Sequence, residues 1–454
     1  MTENSAENFR PRFLRLATVN IVSNIMVPLA GLVDTAFLGH LPEIRYLAGA
    51  ALASILFNLI YRTCRFLRMA TTGPTAQAEG RSDPDAVLLT LLRNGAIALG
   101  LGLIFLLLQY PIGEIGFSLL DATPDLKEAA KDYYNARIWG APAVLLNMVM
   151  MGWFLGREQN SKVLVMSMVG NIGNIILDYV FIMEWGWAGA GAGGATAASQ
   201  YMTLLCGIIY FVLENWWSHI QIVAPQVFQW EEMKSTLKLN TDIWLRTVGN
   251  VLVIVAFTEL SASMGTMVLA TNALLIQVVN ITFFLIEGLS FATESLAGNF
   301  RGQGTNEQLF PLVKLAGFTS LAIGLSITSI FIILPEPLFG LLTNHEDVIE
   351  KVTHYILWLL PVLIFASQAF MLDGYYLGLT EGVILRNSVL AAGAIGFLPV
   401  AGTAWWLENT HVLWLALCLY MAIRAVLLAV GVPATINSEN EMPIALNSER
   451  QVTE

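Results

Sequence analysis

Charge is scarce in this chain. Lys, Arg, Asp and Glu make up 13% of its 454 residues, about half the share usual in soluble domains. Basic residues are also outnumbered, 23 against 34 acidic ones for a net charge of −11, which speaks against a nucleic-acid partner. Cys64, Cys206 and Cys418 are the three cysteines, all inside apolar stretches, so no disulfide framework is expected. The five histidines show no metal-ligand spacing, and no phosphate-binding glycine loop occurs, which argues against ATP-driven chemistry. The ten-residue alternation of a membrane barrel is missing as well. The polar, acidic start does not read as a cleavable signal peptide, and the first apolar stretch is expected to serve as its own signal.

What remains is apolar. Hydrophobic residues are 56% of the chain and the mean hydropathy is +0.64. A soluble core cannot absorb so much apolar surface, whereas helices in lipid satisfy their own backbone groups. Stretches of about 20 residues suit a hydrocarbon core roughly 30 Å thick. They predict helices at 13–37, 44–70, 86–110, 126–155, 161–183 and 188–213, then at 240–264, 267–297, 311–334, 347–378, 383–407 and 411–435. Breaks are expected at Ser82-Asp83-Pro84-Asp85, Asp121-Ala122-Thr123-Pro124, Pro335-Glu336-Pro337 and the Gly-rich run 186–194. The fold class is an all-α polytopic membrane protein of twelve transmembrane helices.

The sequence repeats itself at an offset of 222 residues. Gly152-Trp153-Phe154-Leu155-Gly156 returns as Gly374-Tyr375-Tyr376-Leu377-Gly378. The same offset maps Leu47, Ala48, Asn58, Leu67, Thr71 and Gly80 onto Leu269, Ala270, Asn280, Leu289, Thr293 and Gly302. One module is duplicated, which in a membrane protein points to a transporter. The expected domains are an N-lobe at 1–213, a cytoplasmic connection at 214–239, a C-lobe at 240–436 and a disordered tail at 437–454.

With the N-terminus inside, thirteen Lys and Arg, among them Arg10, Arg81, Arg157, Lys238 and Arg386, fall on the inner side. Five, Arg45, Lys127, Lys131, Arg137 and Lys351, fall outside. The positive-inside rule then places both termini in the cytoplasm. An even number of helices per copy relates the lobes by a pseudo-two-fold axis along the membrane normal, a parallel repeat.

Ionisable residues inside spanning helices cost about 2.5–3.5 kcal/mol at the helix centre, so each needs a reason. Asp34 lies on the first helix and Asp178 on the fifth, both in the outer half; Asn174 shares a helix face with Asp178. Two carboxylates and an amide suit a shared proton or a small cation. The competing reading is that each acid is a satisfied structural residue near the outer interface. Thr196 is placed to complete the cluster, although a Thr among Gly and Ala more often serves packing.

Gly31-Leu32-Val33-Asp34-Thr35-Ala36-Phe37-Leu38-Gly39-His40-Leu41 resembles the first-helix signature of the MATE (multidrug and toxic compound extrusion) transporters, in particular the DinF branch. Phe66-Leu67-Arg68-Met69-Ala70-Thr71-Thr72-Gly73-Pro74 is similar to that branch's second helix. Leu372-Asp373-Gly374 and Glu294-Ser295-Leu296-Ala297-Gly298 are similar to its second half. The resemblance covers essentially the whole chain. It implies two six-helix lobes around a cleft and export of drug-like or metabolite compounds against inward proton or sodium flow. By the same resemblance Asp34, Asn174, Asp178 and Thr196 match an N-lobe cation site, with Asn147 a weaker match. Asp373 and Glu259 match acids of the NorM branch. Val27 and Ala30 stand where archaeal members carry Gln and Tyr, which favours proton over sodium coupling.

Arg65 and Glu287 are repeat partners, and Arg62, Arg65 and Arg68 form a ladder facing Glu287 and Glu294. They are expected to meet across the lobe interface as an inner gate; the alternative is that the arginines reach inner headgroups and the glutamates pair within their own lobe. Pro28 is the expected bend point of the first helix. Met148, Met150, Met151, Met166, Met168 and Met371, with Trp153, Phe154, Tyr375 and Tyr376, are candidates for a cavity lining, a minority of them for substrate.

The reading is a secondary active antiporter in the plasma membrane, monomeric, with H+ or Na+ as coupling ion and no other cofactor. Two rivals stand beside it. An intramembrane aspartyl protease needs paired buried aspartates, but its Gly-x-Gly-Asp context is missing around Asp373. A lipid-linked precursor flippase should carry extra helices and a strongly cationic cavity, neither of which the sequence displays.

Overall fold

The computed structural model describes residues 9–120 and 122–437, side chains at 25–30, 32–34 and 437 excepted. The predicted disordered tail therefore falls almost wholly outside the described residues. Eleven helices among the described residues are long and apolar enough to cross a membrane. They follow a first helix, α1 (Phe9–Gly39), of 31 residues. In the first half come α2 (Ile44–Gly80), α3 (Pro84–Leu107), α4 (Pro124–Gly156), α5 (Asn160–Glu184) and α6 (Ala188–Leu213). The second half holds α7 (Trp230–Ser263), α8 (Thr266–Gln303), α9 (Asn306–Ile333), α10 (Glu346–Gly378), α11 (Gly382–Leu407) and α12 (Thr410–Ile436).

Local chemistry sets most boundaries. Pro84 starts α3 where its missing N–H costs nothing, and the Asp83 carboxylate accepts from the Ala86 N–H at 3.0 Å. Gly265 joins α7 to α8 at a φ of 115°, a conformation that side-chain-bearing residues avoid.

Three expectations need correction. α2 does not stop near residue 70 but continues through Pro74 to Gly80, because a spanning helix packed on both sides tolerates a missing backbone donor. α7 starts at Trp230, ten residues before the expected 240 and inside the expected connection; Glu231 and Glu232 in its first turn favour helix there. The Gly-rich run does not break a helix as a whole. Gly189, Gly191, Gly193 and Gly194 all lie within α6, and a methyl on Gly193 would strike the Tyr133 carbonyl of α4.

The two halves meet at the end of the bundle where α1 begins and α12 ends. One apolar core there draws on both halves, with Phe13, Leu67 and Trp153 beside Leu296, Tyr376 and Leu428. At the opposite end each half keeps its own core, around Phe57 and Tyr134 in the first and around Phe257 and Trp414 in the second.

Close backbone approach makes the shared end tight, and it follows the 222-residue offset. A methyl on Gly80 would come within 3.0 Å of the Asn299 carbonyl, and one on Gly302 within 3.0 Å of the Gln77 carbonyl. These two contacts exchange under the repeat. Gly152 lies on the Arg68 carbonyl as Gly374 lies on that of Ser290, and Gly156 on Thr72 as Gly378 on Glu294. Where Gly73 abuts the Leu377 carbonyl, its repeat partner Ser295 instead donates a 2.7 Å hydrogen bond to the Leu155 carbonyl. Small residues of this kind let membrane helices pack backbone to backbone.

Candidate functional site

Two cavities lined by polar groups bear on the expected sites, one within the first half and one where the first half faces the second. The first-half cavity, about 410 Å³, lies among α1, α2, α4, α5 and α6, and its lining includes Thr35, Asn58, Arg137, Asn174, Thr196 and Gln200. Asn174 and Thr196 are thus brought together, as expected. Asn147 is one shell removed: its amide donates to the Gln200 carbonyl at 2.8 Å and to the Gln200 side chain at 3.2 Å. Asn174 Nδ2 has no hydrogen-bond partner among the described residues. Thr196 uses its hydroxyl on the Ala192 carbonyl at 2.9 Å.

Asp178 is fully buried, at the point where α5 passes from α-helical to π-helical turns at Tyr179–Glu184. Such a bulge widens a helix by one residue per turn and re-aims neighbouring side chains. The side chains of Asp34 and Pro28 lie outside the described residues.

Arg137 lines this cavity and a smaller neighbour bounded by Tyr61 and Gly140. Its guanidinium donates to Tyr133 at 2.8 Å and to Ser54 at 3.3 Å, and lies 4.6 Å from the centre of the Phe57 ring. A fixed cation in the wall disfavours a resident metal cation beside it, by Coulomb repulsion at low dielectric.

The second cavity, about 100 Å³, lies where α2 faces α7, α8, α10 and α12. Arg65 of α2 is ion-paired with Glu287 of α8. One turn further, Arg68 pairs with Glu294 at 3.2 Å and lies 3.9 Å from the centre of the Phe291 ring. The structure therefore joins both arginines to the second-half glutamates rather than to headgroups. Arg62 lines the cavity and is exposed.

Asp373 sits in the same wall with both oxygens engaged. Arg424 donates to them at 2.8 and 2.7 Å, and Arg246 donates to one. Asn250 braces the cluster, accepting from Arg424 at 3.0 Å and from the Tyr420 hydroxyl at 2.5 Å. A carboxylate between two guanidiniums has little left for a transported cation. Glu259, the other expected second-half acid, is exposed on α7 and does not line this cavity.

Arg246 and Arg424 escaped the sequence reading, although an arginine within a spanning helix carries the same signal as an aspartate. The expected absence of a cationic cavity is therefore corrected: four arginines line this one. The aromatic lining is corrected too. Trp153, Phe154, Tyr375 and Tyr376 are fully buried in the shared core, where Trp153 donates to the Val87 carbonyl at 3.0 Å and Tyr376 to that of Leu428 at 2.7 Å. Met150, Met166 and Met371 join the same core, while Met168 is exposed.

Comparison with known proteins adds to this geometry. The sequence model of the MatE family matches residues 20–180 and again 244–394, two segments that together exceed half the chain. DNA damage-inducible protein F of Escherichia coli K12 is 33% identical over 419 residues, 91% of this chain and 90% of that protein. Multidrug resistance protein MdtK of Yersinia pseudotuberculosis is 26% identical over 373 residues, 80% of this chain and 79% of that protein. A solved structure described as the outward-facing conformation of a multidrug resistance MATE family transporter superposes with a TM-score of 0.83. It covers 95% of this chain and 96% of its own, at 18% identity.

Proposed function

Since this chain belongs to the MatE family of membrane transporters, we propose that it is a secondary active antiporter exporting small organic compounds against inward protons. The protease reading is dropped, because the family consists of transporters and not enzymes. In this proposal α1 joins the eleven other spans, giving twelve in two six-helix lobes, with both termini cytoplasmic, in a plasma membrane and as a monomer.

One observation carries the reading. The lobes share a core at one end and keep separate cores at the other, the shape from which alternating access proceeds by rocking. The Gly80–Asn299 and Gly302–Gln77 contacts close the cytoplasmic side, and Arg65–Glu287 with Arg68–Glu294 form a second barrier above them. Opening inward must separate all four.

Coupling is assigned to the N-lobe, with Asp34 and Asp178 as the proton-carrying groups and Asn174, Thr196 and Asn147 as their polar surroundings. Protonation from outside neutralises the acids and releases α1 to bend at Pro28; deprotonation follows once the site faces inward. Arg137 in the cavity wall supports a proton over sodium, since a proton disappears into a carboxyl group whereas a sodium ion keeps its charge beside the guanidinium. Each inward proton supplies about 2.3 kcal/mol per 100 mV of membrane potential.

The test is a reconstituted system of the full chain. Vesicles given a proton gradient at fixed sodium should take up or expel a small organic compound with a matching proton flux. Transport that follows a sodium gradient and ignores the proton gradient would overturn the coupling, and no transport of any class of compound would overturn the antiporter.

A further inference from the structure

The cavity where α2 faces the second half holds, among the described residues, more positive charge than its acids neutralise. Arg62, Arg65, Arg68 and Arg246 line it, and Arg424 stands directly behind Asp373. Against these five guanidiniums stand three carboxylates, Glu287, Glu294 and Asp373. Even with every one of these acids ionised, two positive charges are left over, shared between exposed Arg62 and the buried guanidiniums behind it, where an unmatched charge is costly. Arg62 has no ion-pair or hydrogen-bond partner among the described residues. The Nε–H groups of Arg68 and Arg246, residues more than nine-tenths buried, are likewise unpartnered there.

The rest of the wall mixes a few neutral polar groups, Thr247, Asn250, Asn280 and Ser290, with an apolar stretch. Ile254 and Val279 lie beside Phe283 and Phe370, whose rings meet edge to face at 4.7 Å. At about 100 Å³ the cavity has room for an anionic head and a few carbons rather than a whole drug-sized molecule. The surplus is not inherited from the duplication. The repeat partners of Arg62, Arg68, Arg246 and Arg424 are Phe284, Ser290, Asn24 and Met202, so the excess arises only where these arginines converge.

We propose that this cavity binds the head of an amphiphilic organic anion, a carboxylate, sulfonate or phosphate on an apolar body, and that such anions are the exported class. This rests on the antiporter reading and deepens it. Coupling then rests on Asp34 and Asp178 within the N-lobe and substrate on arginines where the two halves face each other, so the two do not compete for the same side chains. Bringing one proton in while sending one monovalent anion out moves two charges per cycle, so transport is electrogenic and speeds up when the interior is made negative.

The experiment uses the full chain in nanodiscs of zwitterionic lipid. Two probes share a body and differ in head charge: naphthalene-2-sulfonate and trimethyl(2-naphthyl)ammonium. Calorimetry should show binding of the sulfonate and none of the ammonium. Arg62→Gln, at an exposed and unpaired position, should weaken sulfonate binding about tenfold, the worth of a charged hydrogen bond, with Arg62→Lys recovering most of it. Equal binding of the two probes, or an Arg62→Gln affinity unchanged within about twofold against that tenfold expectation, would overturn the proposal. A further arm replaces part of the lipid by phosphatidylglycerol. Loss of sulfonate binding there identifies an anionic lipid headgroup as the source of the anion, and retention identifies a soluble one. Vesicle assays separate this inference from the reading beneath it. If the ammonium exchanges for protons and the sulfonate does not, the antiporter stands and the anion site falls; if neither exchanges with protons, the antiporter falls.

Discussion

Arg65 and Glu287 hold equivalent places in the two halves, 222 residues apart, and are bonded to each other. Two equivalent positions can touch only if they lie beside the axis that relates the copies. The pair therefore marks that axis, with the Gly80–Asn299 and Gly302–Gln77 contacts further along it. In the unduplicated module both partners would have been the same residue. Divergence to opposite charge turned a self-contact into an ion pair.

If the pair is a latch, its polarity should be exchangeable. Arg65→Glu or Glu287→Arg alone should lower vesicle transport at least tenfold, since each leaves a half-buried like-charge pair (about 1.4 kcal/mol per tenfold). The double swap should recover a substantial part. Transport that stays lost in the double variant would show that the pair does not act by direct contact.

The glycines at the closed end should not admit side chains. Gly302→Val forces a branched side chain against the Gln77 backbone and should destabilise by about 1–3 kcal/mol, the usual cost of overpacking. Gly95→Ala, where nothing lies within 4 Å, serves as the control. Thermal unfolding in detergent distinguishes them, and equal melting temperatures would contradict the close approach.

Asp373 and its two arginines form one buried unit. Arg424→Gln removes a charge from a fully buried position and should cost about 3–5 kcal/mol, as breaking a buried ion pair does. Arg246→Gln should cost less, because Arg424 still holds both Asp373 oxygens. Comparison of the two unfolding midpoints checks the order.

Asp34→Asn and Asp178→Asn should leave the protein in the membrane at wild-type level and abolish proton release on substrate addition. Proton flux in vesicles is the readout. A variant that still exchanges substrate for protons would remove that aspartate from the coupling site.

Orientation is open to direct labelling. A cysteine placed at Ser82, in the turn between α2 and α3, should react with an impermeant maleimide only after cells are opened. One placed at Thr123, before α4, should react in intact cells. The reverse pattern would invert the proposed topology.

Much of this was legible in the chain. The helices were readable because twenty apolar residues in lipid have few other ways to satisfy a backbone, and the repeat because the offset never shifts. Within α2 and α7 the reading went astray for local reasons. Pro74 ends a helix in water but not in a packed bundle, and polar residues 230–239 extend α7 although their hydropathy does not announce it.

Sequence alone determined the membrane class, the duplication, the isolated acids and the repeat equivalence of Arg65 and Glu287, since spacing and charge balance are local or periodic properties; that the two are bonded came from the tertiary structure. Only the tertiary structure decided where arginines converge. Arg62, Arg246 and Arg424 lie on three helices as much as 362 residues apart in sequence, and no spacing rule joins them. Their summed charge becomes visible only when α2, α7 and α12 meet around one cavity. The same holds for Trp153 and Tyr376, whose burial depends on which face of each helix meets the other half.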